Sequence, residues 1–127
     1  MFQRITAAGA PEPPPGLFSN AVKAGNTLYL SGQHAGAPGG GVLGDGSMHD
    51  QTRRSLLKIK ALVEAAGGTM ADVVKLTVYV TDMARRAEVS AARREFFSGD
   101  LPCSTMVQVA ALAAPELMVE IEAVAVL

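Results

Sequence analysis

At 127 residues with a formal net charge of −1, eleven Lys and Arg against twelve Asp and Glu, the chain fits one domain, residues 1–127. It carries no overall charge that would draw it to nucleic acid. The single cysteine, Cys103, excludes an intramolecular disulfide and a cysteine-built zinc site, no run approaches the ~20 apolar residues of a membrane span, and a cytoplasmic location is expected.

In chain order, Phe2 to Thr6 predicts a short strand, and A-A-G-A-P-E-P-P-P-G after it forbids helix and central strand alike. Ser19 to Ala24 and Thr27 to Ser31 flank Gly25-Asn26, which reads as a hairpin. The glycine-rich stretch from Gly36 to Gly46 lacks both the Lys-Ser/Thr of a phosphate loop and the G-x-G-x-x-G spacing, so it is read as a plain loop. Ser47 followed by Asp50 resembles a capping box for a helix that runs to Gly67-Gly68, with Leu56, Ile59, Leu62, Val63 and Ala66 as its buried stripe.

Residues 72 to 81 alternate, with Val74, Leu76, Val78 and Val80 on a core face and Lys75, Thr77, Tyr79 and Thr81 opposite. Asp82 caps a second predicted helix from about Met83 to Phe97, whose stripe is Val89, Ala92, Arg93 and Phe96. Two strands are expected between Leu101 and Leu127. In the second, Leu117, Val119, Ile121, Ala123 and Ala125 face the core, while Met118, Glu120, Glu122, Val124 and Val126 face away. The economical solution is an α+β fold, a mixed sheet with two helices on one face. Its other face, partly apolar and carrying Thr77, Tyr79, Glu120 and Glu122, is then expected to be buried against other subunits. The rival reading is that the Glu side chains simply reach solvent near a sheet edge.

The segments G-L-F-S-N-A-V at 16 to 22, Y-L-S-G-Q at 29 to 33, Q-T-R-R-S-L-L-K-I-K-A-L-V-E-A-A-G at 51 to 67, D-V-V-K-L-T-V-Y-V-T-D-M at 72 to 83 and the closing V-E-I-E-A-V-A-V resemble the RidA/YjgF family. That family is also called endoribonuclease L-PSP. The resemblance covers nearly the whole chain and implies a chorismate-mutase-like fold assembled as a homotrimer, with small-molecule sites in the clefts between subunits. It also implies hydrolysis of reactive enamines and imines, such as 2-aminoacrylate, to 2-keto acids and ammonia, without cofactor or metal.

In the family an Arg in a P-A-R-S/T motif holds the substrate carboxylate, a task that suits a planar guanidinium. Here Pro102-Cys103-Ser104-Thr105 puts Ser104 at that position. The Tyr of the family's G-P-Y-S is Phe18, and an Asn near the second helix's central turn corresponds to Ser90. Glu120 matches the carboxylate that positions water, and Ser31, Gly32 and Gln33 match positions whose backbone lines the site. The implied set is therefore Glu120 as catalytic residue and Phe18, Ser31, Gly32, Gln33, Ser90, Cys103 and Ser104 as substrate-binding residues.

Each has a plainer rival. Glu120 can be a carboxylate balanced by a hydrogen-bonding neighbour, and Cys103 an inert small hydrophobe rather than a reactive thiol. His34 can supply an acid or base that the usual pattern lacks, whereas His49 belongs to the first helix's cap. The Arg doublets at 53–54, 85–86 and 93–94 read as solvated helix charges. Three functions remain: a deaminase-like hydrolase with altered substrate choice, a non-catalytic small-molecule-binding trimer, and RNA cleavage, for which no basic groove with an acid and a base is visible. In the first, residue 104 is expected on a strand beside that of Glu120.

Overall fold

The structure, a computed structural model, describes all residues from Met1 to Leu127. Six strands, β1 (Gln3–Ile5), β2 (Ala21–Ala24), β3 (Thr27–His34), β4 (Val73–Val80), β5 (Cys103–Gln108) and β6 (Val119–Val126), form one mixed sheet in the order β1-β2-β3-β6-β4-β5. Two helices, α1 (Met48–Ala65) and α2 (Arg86–Arg93), pack on one face, so the expected α+β architecture is present. Every neighbouring pair is antiparallel except β4 and β5, which α2 connects in parallel. Because β3 and β4 both run antiparallel to β6, the chain's last strand is inserted between them, which splits the β3-α1-β4 unit.

Local chemistry explains the boundaries of α1. Ser47 Oγ accepts from the Asp50 amide at 3.0 Å, but the reciprocal half of the capping box is missing. Asp50 instead accepts from the Asp45 amide, and Asp45 accepts from the Ser47 amide at 2.8 Å. At the other end Gly67, at φ +94°, donates to Glu64 O while Gly68 donates to Val63 O, a paired closure that needs a left-handed residue. Between them Leu56, Ile59, Leu62 and Val63 are fully buried against Leu28, Leu76, Val78, Val119 and Ile121 of the sheet, while Ala66 is only partly buried.

The alternation expected for β4 slips at its start. The register against β6 shifts between Val73 and Lys75, so Val73 is buried at Ala125 and Val74 is exposed, the reverse of the sequence reading. One extra residue in a strand turns its successor to the other face. The second helix is also shorter than predicted. A 3₁₀ turn at Met83–Arg85, with Asp82 accepting from the Ala84 amide, precedes α2, and turns rather than α-helix carry residues 94 to 96.

Gln51, fully buried on α1, donates to Gly46 O and Glu116 O and accepts from the Met118 amide at 2.9 Å. It ties the helix to the residues leading into β6. Gln51→Leu keeps the volume but removes the partner of three part-buried backbone groups, so urea unfolding is expected to show a loss of about 1–3 kcal/mol. A change below ~0.5 kcal/mol would mean that water reaches those groups.

Candidate functional site

The first cluster forms where β3 irregularly meets β6. Leu30 pairs with Ala123 and Gln33 with Ile121, so Ser31 and Gly32 together oppose one residue, a bulge. Ser31 anchors the bulge: its amide donates to Asn20 O at 2.8 Å and its hydroxyl to Ser19 O at 2.7 Å. Gln33 is buried and donates to Asn20 Oδ1 and Ser31 O, which leaves its side chain on the core side. Glu120, on the open face of β6, folds its carboxylate across Gly32. A Cβ built on Gly32 would stand 2.8 Å from Glu120 Cδ and closer still to Oε2, so only glycine leaves room for the acid there.

His34 is the direct cross-strand neighbour of Glu120 on the same face. Its Nδ1 accepts from the Gly36 amide at 2.9 Å, which puts the proton of the neutral ring on Nε2. Beneath it Lys58, buried on α1, donates to His34 O at 2.6 Å and to Gly36 O at 3.1 Å. Burial, with a smaller contribution from Lys58, pushes the His34 pKa down against the opposing pull of Glu120; burial alone lowers that of Lys58.

A histidine whose folded pKa lies below its unfolded value contributes stability that is complete above the unfolded pKa and is lost as pH falls through the folded one. Urea midpoints are therefore expected to drop as pH is lowered from about 7 through the normal histidine range near 6.5. His34→Gln is expected to flatten that slope, and an unchanged slope in the variant would assign the effect to other groups.

A second cluster lies across the sheet. A cavity of about 320 Å³ opens between α2 and the edge strand β5, and Ser90, Arg93, Arg94 and Ser104 line it together with apolar side chains. Arg93 Nη1 donates to Ser104 Oγ at 2.8 Å. Pairing of Leu76 with Ser104 directs Ser104 to the helix side of the sheet, so Cys103, its neighbour in the strand, is exposed on the open side and does not line this cavity. Phe18 stands apart from both clusters, 57 % exposed in the proline-rich loop.

Within one chain, then, Gly32, Glu120 and the Ser31–Gln33 backbone come together, as do Ser90 and Ser104, but the two groups occupy opposite faces. The expectation that residue 104 sits on a strand beside that of Glu120 is corrected: β4 lies between β5 and β6, and Tyr79 of β4 is what pairs with Glu120. A site that uses both must draw them from two chains. No three His, Cys, Asp or Glu side chains gather closely enough to hold a metal ion, and no helix is long and apolar enough to cross a membrane.

The family model described as Endoribonuclease L-PSP matches residues 9–127. The chain belongs to this family, RidA/YjgF. A RutC family protein from Pyrococcus horikoshii is 40 % identical over 125 residues, 98 % of each chain, and a mouse 2-iminobutanoate/2-iminopropanoate deaminase is 37 % identical over 111 residues, 87 % of this chain and 82 % of that one. The crystal structure of Escherichia coli TdcF with bound serine superposes with a TM-score of 0.87 at 34 % identity, covering 98 % of both chains.

In this chain the Glu120 carboxylate lies over Gly32, while Ser104 rather than a charged side chain faces the α2 cavity from β5. Sequence reasoning missed the residue most altered in meaning, Arg93, by treating the 93–94 doublet as solvated charge. The signal was present, since Arg93 falls on the buried stripe with Val89 and Ala92. It also missed Lys58, which lies three residues after buried Ser55 and four before Leu62, on the inward side of α1.

Proposed function

We propose that this chain is an enamine/imine hydrolase of the RidA type whose substrate choice is altered by the loss of the strand arginine at position 104. The observation that carries the reading is the Glu120 carboxylate held over Gly32 at the β3 bulge, with His34 beside it. The deaminase names borne by the mouse relative and by TdcF, described as a putative reactive intermediate deaminase, support the reaction class.

In this mechanism Glu120 accepts a proton as water adds to the imine carbon, C=N becoming C(OH)–N. It returns that proton to nitrogen to give C(OH)–NH2, then takes the hydroxyl proton and passes it to nitrogen as the C–N bond breaks, so that ammonia leaves and a carbonyl remains. An enamine first takes a proton at its β-carbon and gives one up from nitrogen to become the imine. The carboxylate, already set over the bulge, needs little rearrangement as charge develops. Simultaneous ammonia and 2-keto acid release from a panel of freshly generated imines tests the reading. Absence of turnover across the panel by a folded protein would favour a binding protein that has kept the pocket without the chemistry.

The cleft is proposed to form between subunits of a homotrimer. On the helix-free face Tyr29 is 51 % exposed and Val126 47 %, and they share it with Thr77, Val124 and the 2.6 Å Tyr79–Glu122 hydrogen bond. An apolar sheet face of this kind is stabilised by burial against copies of itself. Light scattering is expected to give three times the 13.1 kDa chain mass at micromolar concentration, and a stable monomer would refute the assembly.

A further inference from the structure

We propose that the cavity between α2 and β5 is a carboxylate-binding site in which Arg93, supported by Arg94, supplies from the helix the cation that the strand lacks. The inference rests on the imine-hydrolase reading for its substrate class, imino or enamino acids with an apolar side chain larger than that of 2-aminoacrylate.

Three observations converge. Arg93 and Arg94 both line the cavity, and neither has a carboxylate within 4.0 Å, although most of the neighbouring charges do: Arg53 meets Glu95, Arg54 meets Asp50 and Arg85 meets Glu88. Two adjacent cations left without counter-ions beside a concave surface are a site for an anion. Arg93 is also held in place. Its Nη1 donates to Ser104 Oγ at 2.8 Å, which fixes one corner of the guanidinium and leaves its other N–H groups for a ligand. Ser104 accepts that bond because it is short; a long side chain at 104 would occupy the same space. Finally, Phe97 and Leu101 give the cavity an apolar wall, with Ser90 as a second hydroxyl. A small acid with a branched alkyl tail matches this division into a cationic end and an apolar wall.

The geometry also says why the choice of substrate shifts. A guanidinium bonded to Ser104 lies against the base of that side chain, whereas an arginine growing from position 104 would carry its charge several ångströms farther out. The anchored carboxylate therefore sits deeper, toward α2, and a longer acid is needed to bring its imine carbon back to the mouth.

Isothermal titration with 4-methyl-2-oxopentanoate, the keto acid such a reaction would release, and with its methyl ester tests the site without requiring turnover. The acid is expected to bind at least tenfold more tightly than the ester. Arg93→Ala is expected to weaken acid binding by about 10- to 100-fold and to leave ester binding unchanged, while Arg93→Lys restores only part because it keeps the charge and loses the fork. Equal affinity for acid and ester, no binding of the acid at millimolar concentration, or full affinity in Arg93→Ala whose circular dichroism matches the wild type would each overturn the proposal. The two readings fail separately. Arg93-dependent binding without turnover of any imine retains the anion site and removes the hydrolase, whereas turnover with an unchanged KM in Arg93→Ala does the reverse.

Discussion

Glu120→Gln is expected to lower ammonia release from any accepted imine by about 10²–10⁴-fold, the usual loss when a positioned general base is removed. The substitution keeps the shape of the side chain, so its packing over Gly32 persists and only the ability to take a proton from water is lost. A companion variant reaches the same group by a different route. Gly32→Ala puts a methyl where the carboxylate lies, and Glu120 must swing away from the bulge, so kcat is expected to fall while the thermal midpoint changes little, since Gly32 is not part of the core. Activity that survives both substitutions would remove Glu120 from the mechanism and leave His34 as the only titratable group that faces it across β3.

The second large effect concerns position 104. The wild type is expected to accelerate 2-aminoacrylate hydrolysis poorly, and Ser104→Arg to raise kcat/KM for that substrate by a factor of tens to thousands, the range spanned by a bidentate charged contact in a partly desolvated cleft. Arg93 stands 2.8 Å from Ser104 Oγ, so the new guanidinium meets a like charge. Adding Arg93→Ala removes the crowding and is expected to increase the gain. Phe18→Tyr restores a hydroxyl and contributes a further few-fold, about the worth of one hydrogen bond. Glu120→Gln placed on top should return the rate to background. Rapid 2-aminoacrylate hydrolysis by the wild type would show that a cation other than residue 104 already holds this carboxylate. An inactive, properly assembled Ser104→Arg, Phe18→Tyr variant would show that the cleft has diverged beyond one anchor.

The local elements were legible in the residues because each carries its own signal. The cap at Ser47, the closure at Gly67-Gly68, the stripe through Leu56, Ile59 and Leu62, and the alternation of β6 all depend on neighbours within a turn or two of chain. The α+β class follows from their order, and the family from the motifs they contain. Tertiary structure alone decided how the candidate site is divided. Strand order is a matter of which long-range pairings bury the most surface, and nothing near Ser104 or Glu120 in sequence announces that β4 will lie between their strands. The bulges at Val73–Lys75 and Leu30–Gln33 also have no local signature, yet one exposes Val74 and the other lets Glu120 fold across Gly32. Arg93 shows the difference in one residue. In sequence it is one member of a charged doublet on a helix, and it becomes the partner of Ser104 only because the parallel β4-α2-β5 connection brings the last turn of α2 over the strand that follows it.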